Sequence, residues 1–135
     1  MINQKRIAKK LLVLALIVLV SLNLYAAKIK QLRSVLGGLS ISYIYRFRSL
    51  APEDFENIEF LTSLEDLVKK VGKPNGVVNY SMGESPYYEL ENGRYARILT
   101  AYENDNIERV SGISIYELDD NGEKSYYHLK LLGTP

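Results

Sequence analysis

The sequence predicts an α+β fold: an apolar N-terminal helix, then short helices packed on an antiparallel meander sheet of about four strands. Three observations carry this. Leu11–Ala27 is a nearly unbroken apolar stretch behind a basic flank. Thr62–Pro74 carries an apolar stripe at helical spacing with both a start and a stop signal. After Pro74 the apolar residues alternate instead, and Asn92-Gly93 and Asp120-Asn121-Gly122 punctuate them as turns. Helices first and strands afterwards is the order of an α+β domain.

Charge divides the chain as sharply as hydropathy does. Residues 1–50 carry nine basic side chains and no acid, a net +9, while residues 51–135 carry −8. An acidic domain is a poor partner for nucleic acid, because phosphate contacts need Lys and Arg, so no nucleic-acid partner is expected. There is no cysteine, which excludes disulfides, thiol catalysis, thiolate metal sites and a lipid on an N-terminal cysteine. The 85 residues after position 50 make one domain with room for a helix–sheet core and little room for a deep cavity.

Residues 1–10 read as a basic cytoplasmic tail and 11–27 as a transmembrane signal anchor. Seventeen residues lie at the short end of what spans a bilayer. A cleaved signal peptide is the competing reading, but cleavage after Ala26 puts Leu24 at −3, and cleavage after Ala27 puts Tyr25 there. Four basic residues precede the run against Lys28, Lys30 and Arg33 behind it, which favours a cytoplasmic N-terminus and an exported C-terminal domain. Residues 28–50 form a juxtamembrane stalk of two possible characters. Leu32, Leu36, Leu39, Tyr43, Phe47 and Leu50 have helical spacing, whereas Ile41, Tyr43, Tyr45 and Phe47 alternate as a strand does. A helix interrupted near Gly37-Gly38 is the preferred reading. Its basic residues then lie against anionic headgroups or belong to a solvated linker.

The exported domain, 51–135, starts at Ala51-Pro52. Pro52 suits a first helical turn, and Glu53 and Asp54 complement its dipole, giving a short helix over about Glu53–Asn57. In the organising helix Leu64, Leu67, Val68 and Val71 form the buried stripe, and Thr62 with Glu65 forms a capping box. Gly72 and Pro74 end it. Strands are expected at Val77–Tyr80, Tyr87–Glu91, Arg94–Tyr102, Ile107–Leu118, with a bulge at Gly112, and Lys124–Leu132. A two-residue Asn92-Gly93 turn pairs Glu91 with Arg94 and Leu90 with Tyr95.

Few residues point to chemistry. His128 is the single histidine, too little for a zinc site without cysteine, and it reads as a polar strand position. No Gly-x-Ser-x-Gly elbow, phosphate-cradling glycine loop or EF-hand spacing is present, and Glu103–Asn106 and Asp119–Glu123 read as turns. No cofactor, metal or reaction is expected. The unusual feature is tyrosine, with eight of eleven in the sheet region. Successive strand residues face opposite sides, so one ring of Tyr87-Tyr88 and one of Tyr126-Tyr127 points away from the helix. Tyrosine offers apolar area and a hydroxyl together, which suits an interface. The residues expected to contact a partner are Tyr87, Tyr88, Tyr95 and Tyr102, with Glu89 and Arg97 as polar neighbours.

The stretches IEFLTSLEDLVKKVGKPN and PYYELENGRYARILTAYENDNIERVSGISIY together carry a resemblance. Thr62, Val68, Val71-Gly72-Lys73-Pro74 and Tyr87-Tyr88 resemble the capped helix, Leu-Gly-x-Pro stop and aromatic sheet opening of the SmpA/OmlA (outer-membrane assembly lipoprotein) and beta-lactamase-inhibitor-like envelope domains. The likeness covers about Ile58–Tyr116. The chain departs from that group in having no lipid-bearing cysteine and Phe60-Leu61 in place of Gly-Met. What the resemblance implies is a bacterial envelope protein that works by binding another protein, without catalysis. The function expected is therefore a membrane-anchored extracytoplasmic protein-interaction module, held in the bilayer through 11–27 and meeting an envelope protein partner. The alternative is a sensor of a small ligand or cell-wall fragment.

Overall fold

The computed structural model describes residues 3–37, 43–80 and 83–131. The chain forms two compact units, Met1–Leu32 and Arg33–Pro135.

The first unit is helical. Helix α1 runs Gln4–Leu36, 33 residues, about 50 Å at 1.5 Å per residue. It therefore overruns the 11–27 span at both ends, since nothing in Gln4–Lys10 or Lys28–Leu36 breaks a helix. Each large apolar side chain from Leu11 to Leu24 is at least half exposed, so protein does not cover this surface. It is the one helix among the described residues long and apolar enough to cross a membrane. The Ser21 hydroxyl donates to the Ile17 carbonyl at 2.8 Å, which removes an unsatisfied donor from the apolar stretch. Gly37 follows in a positive-φ conformation. The helical reading of the stalk thus holds to Leu36. Residues 43–50 form neither helix nor strand, and Leu39 and Ile41 lie outside the described residues.

The second unit is α+β. A 3₁₀ turn, Pro52–Phe55, takes the place of the expected short helix, and Asp54 closes it by accepting from the Ala51 N–H at 2.7 Å. Helix α2 is Leu64–Val71. Its cap is Ser63, whose hydroxyl accepts from the Asp66 N–H at 3.1 Å, and not the expected Thr62. Thr62 is drawn off by the sheet: its carbonyl accepts from the Val110 N–H at 2.8 Å, and Ser63 bridges to Arg109. Gly72 ends the helix at φ 103°, as expected of a glycine stop.

Five strands follow: β1 Gly76–Tyr80, β2 Gly83–Glu89, β3 Tyr95–Tyr102, β4 Glu108–Leu118 and β5 Lys124–Leu131. They form one antiparallel sheet in the order β1-β2-β3-β4-β5. The sheet has five strands rather than about four, because the short β1 is a full member, paired along its length with a β2 that begins at Gly83. Pro86 is tolerated in β2 because β3 joins only from Tyr87 onward. The hairpin register also differs from the expected one. Tyr95 pairs with Glu89, not Leu90. The Glu91 N–H donates to the Leu50 carbonyl instead of closing the turn, and Leu90 donates to Arg94. That extra residue lets Leu90 enter the core while Tyr95 faces the other way. The Glu91–Arg94 ion pair forms at 3.6 Å as expected. Irregular pairing lies on both sides of Gly112, where an added Cβ would stand 3.1 Å from the Lys130 carbonyl.

One face of the sheet carries the core. Tyr88, Leu90, Ala96, Ile98, Val110, Ile113 and Ile115 pack with Phe55, Ile58 and Leu67, and Leu64 and Val71 close its margin. Tyr88 packs edge-on to Phe55, with ring centroids 5.3 Å apart, and its hydroxyl donates to the Gly72 carbonyl at 2.8 Å. The loop before α2 is fastened to this layer by Arg109, which donates to the Leu61 carbonyl at 3.1 Å.

Candidate functional site

The other face of the sheet is built from tyrosines and polar groups. Strand register sets Tyr87, Arg97, Ser114 and His128 in one row across four strands, and Glu89, Tyr95, Tyr116 and Tyr126 in the next. Alternation therefore behaves as the sequence implies: Tyr88 points to the helices and Tyr87 away from them.

Pointing away does not mean lying exposed. Tyr87, Tyr88 and Tyr95 are all fully buried. Tyr87 stacks parallel to Tyr43, centroids 6.4 Å apart. Tyr43 belongs to a segment that Asn75 pins down. The Asn75 amide donates to the Ile44 carbonyl at 2.8 Å, its side-chain oxygen accepts from the Glu89 N–H at 2.9 Å, and its backbone bonds both Ile44 and Tyr87. The Tyr43 hydroxyl donates to Glu89, and burial together with that carboxylate pushes the phenol well above its ordinary pKa. Glu89 and Arg97 are half-buried, the latter donating to the Tyr116 hydroxyl at 3.2 Å. Of the residues expected to meet a partner, only Tyr102 stands well clear, 65 % exposed at the far end of β3. Burial removes the other three rings from the surface.

The exposed aromatic surface lies instead at β5. Tyr126 is 58 % and Tyr127 44 % exposed, on opposite faces of the strand. Tyr126 stacks on Tyr116 at 5.3 Å and meets His128 edge-on at 5.6 Å. Strand β5 is an edge: no further strand pairs with it among the described residues. Beside it an open depression of about 300 Å3 is lined by Phe60, His128, Leu129, Lys130 and Leu131. Lys130 is steered toward the helical layer by donating to the Ile58 carbonyl at 2.6 Å. The Tyr126-Tyr127 pair was visible in the sequence. Its edge position was readable too, since the last strand of a meander has only one neighbour, whereas Phe60 carried no signal of lying beside it.

One contact was not legible. The Ser114 hydroxyl lies 2.8 Å from His128 Nδ1, a pairing of nucleophile and base by distance. Ser114 is only 1 % exposed, so a substrate carbonyl cannot approach its oxygen, and its strand amides are engaged in ladders rather than turned to an oxyanion. The arrangement is a cross-strand hydrogen bond. At the β3–β4 turn, Asp105 accepts from Arg109 at 2.5 Å and from the Ile107 N–H at 3.1 Å. Those bonds hold its carboxyl below the usual range. Among the described residues no three His, Asp or Glu side chains converge as a metal site. No protein-family model, curated protein or solved structure matches this chain.

Proposed function

We propose that the chain is a single-pass membrane-anchored interaction module of the bacterial cell envelope, its N-terminus cytoplasmic and residues 51–135 exported. It works without catalysis by adding an extended segment of an envelope protein to the edge of β5. The observation that supports this reading most is the edge itself. An open strand offers a row of backbone donors and acceptors, and a pairing segment satisfies them at once. Tyr126 and Tyr127 flank that row on both faces, and the depression beside Phe60 offers a seat for one partner side chain. Tyrosine next to an open edge supplies contact area at low entropic cost. The likeness to SmpA/OmlA-type envelope domains is consistent with such a role, with the helix cap moved from Thr62 to Ser63.

The test is site-specific photo-crosslinking in cells with the intact chain. A crosslinker replacing Tyr127 is expected to give one discrete adduct that one replacing the exposed Asn79 of β1 does not. The double variant Tyr126→Ala, Tyr127→Ala placed beside a crosslinker at Ser125 should lose that adduct while keeping its melting temperature. Equal adducts from β1 and β5, or none from β5, would rule the edge out.

A further inference from the structure

A second exposed apolar group lies on the segment between α1 and the sheet. Phe47 is 95 % exposed, and Ile44 and Tyr45 are each more than half exposed. The Tyr45 and Phe47 rings meet edge-on, centroids 5.1 Å apart, so they form a pair rather than two scattered residues. Phe47 is the most exposed large apolar side chain among the described residues, above Tyr102 and Tyr126 of the sheet, whereas the neighbouring ring Tyr43 is buried.

These rings are held out, not left out. Ile44 is clamped by two hydrogen bonds to Asn75, each 2.8 Å. Tyr43 is fixed to Glu89. On the other flank Arg48 donates to the carbonyls of Lys73 and Val71, and its guanidinium lies 5.4 Å from the centre of the Tyr88 ring. With both ends tied, the backbone between them cannot fold the rings back onto the domain. An apolar pair fixed in water costs free energy unless something apolar covers it.

Charge identifies the cover. Arg46 lies between the two ring residues and Arg48 follows them, and no carboxylate pairs with either arginine among the described residues. Arg46 is close enough to add to burial in holding the Arg48 guanidinium below its ordinary range. Residues 1–50 contain no acid at all. Aromatic rings beside unneutralised arginines match the boundary where acyl chains meet anionic headgroups. Continuity supplies the reach: Phe47 follows the last residue of α1 by eleven residues, at most about 40 Å of extended chain.

We infer that the Ile44–Phe47 segment docks into the headgroup–acyl boundary of an anionic bilayer, Tyr45 and Phe47 entering it and Arg46 meeting lipid phosphate. This rests on α1 spanning the membrane, and the test separates the two. The chain has no tryptophan, so single replacements report one place each. Leu19→Trp, Phe47→Trp and Tyr102→Trp, each in the full chain, are reconstituted into vesicles of phosphatidylcholine and phosphatidylglycerol with brominated acyl chains. The expected result is a blue-shifted, quenched emission for Leu19→Trp and Phe47→Trp and an unquenched, water-like emission for Tyr102→Trp. Quenching of Leu19→Trp without Phe47→Trp would overturn the docking segment and leave the anchor standing. Loss of both signals would overturn the two together. Quenching at all three places would mean the domain lies on lipid without selection, which also defeats the inference. Adding Arg46→Gln to the Phe47→Trp chain, or omitting phosphatidylglycerol, should reduce the quenching. An undiminished signal in both would remove the headgroup contact.

Discussion

The two faces of the sheet are made by the same five strands and solve burial in different ways. The helix-side face is aliphatic: Ala96, Ile98, Val110, Ile113 and Ile115 meet Phe55, Ile58 and Leu67, with Tyr88 as the main polar intrusion. The opposite face buries Tyr87, Tyr95, Ser85 and Ser114 and places Glu89 and Arg97 among them. On the first face almost any apolar shape of the right volume would contribute, because the attraction is non-directional. On the second, each ring brings a hydroxyl that must find a partner, so position matters as much as volume. The helix side is therefore expected to supply the larger share of the stability. The tyrosine side makes the fold particular, and it is where the chain that follows α1 is fastened.

The largest effect should come from breaking the aliphatic face. Ile98→Ala empties a fully buried position and should cost about 2–5 kcal/mol in urea or guanidinium unfolding, with the slope unchanged. A loss below about 1 kcal/mol, the size of a typical hydrogen bond, would mean the two faces share the load evenly. Breaking the polar face should be milder. Tyr43→Phe keeps the ring stacked on Tyr87 and removes the hydroxyl that bonds Glu89, at about 1.5–3 kcal/mol for a bond to a charged group. The same variant should speed hydrogen exchange at the Ile44 and Glu89 amides while the β3–β4 ladder stays protected. Uniformly faster exchange would instead make the segment part of one cooperative core.

The smallest effect is spectroscopic and sharpens the contrast from the helix side. Burial pushes the Tyr88 phenol up to about 12, against the opposing pull of Arg48 and Arg46. The folded value lies above the unfolded one of 10.0. Stability from neutral Tyr88 is thus fully present below pH 10 and is lost as pH rises from about 10 to about 12, where the unfolded chain binds fewer protons. In an ultraviolet titration of the native protein, Tyr88→Phe should leave the absorbance rise up to pH 11 unchanged and remove amplitude only above it. An earlier loss would place Tyr88 in contact with water.

Where the chain's instructions are local, they were legible. Of the stripe Leu64, Leu67, Val68 and Val71, Leu67 enters the core and Leu64 and Val71 pack at its margin, while Val68 is half-buried outside it. The helix stops at Gly72, and the long apolar helix and the antiparallel meander are present. The cap and the hairpin differ from expectation for one reason, which is a backbone group recruited by a distant residue. Thr62 lost the cap because Val110 took its carbonyl, and the hairpin slipped a residue because Leu50 took the Glu91 amide. The surface differs from the expected one because a distant side chain, not a backbone group, intervenes. Alternation correctly turned Tyr87 outward, but Tyr43, 44 residues earlier, stacks on it.

By itself the sequence determined the apolar helix, the α2 stripe and its stop, the α+β order and the absence of any thiol chemistry. These follow from periodicity, turn residues and composition, which act within a few positions of the chain. Tertiary structure decided which tyrosines are inside, that Ser63 is the cap, that Phe60 lies beside β5, and that Tyr45 and Phe47 are held in the open. Each of those depends on Asn75, Val110, Leu50 or Arg48 meeting a group far away in sequence. No local pattern encodes that meeting, because only a formed sheet brings the partners within hydrogen-bonding distance.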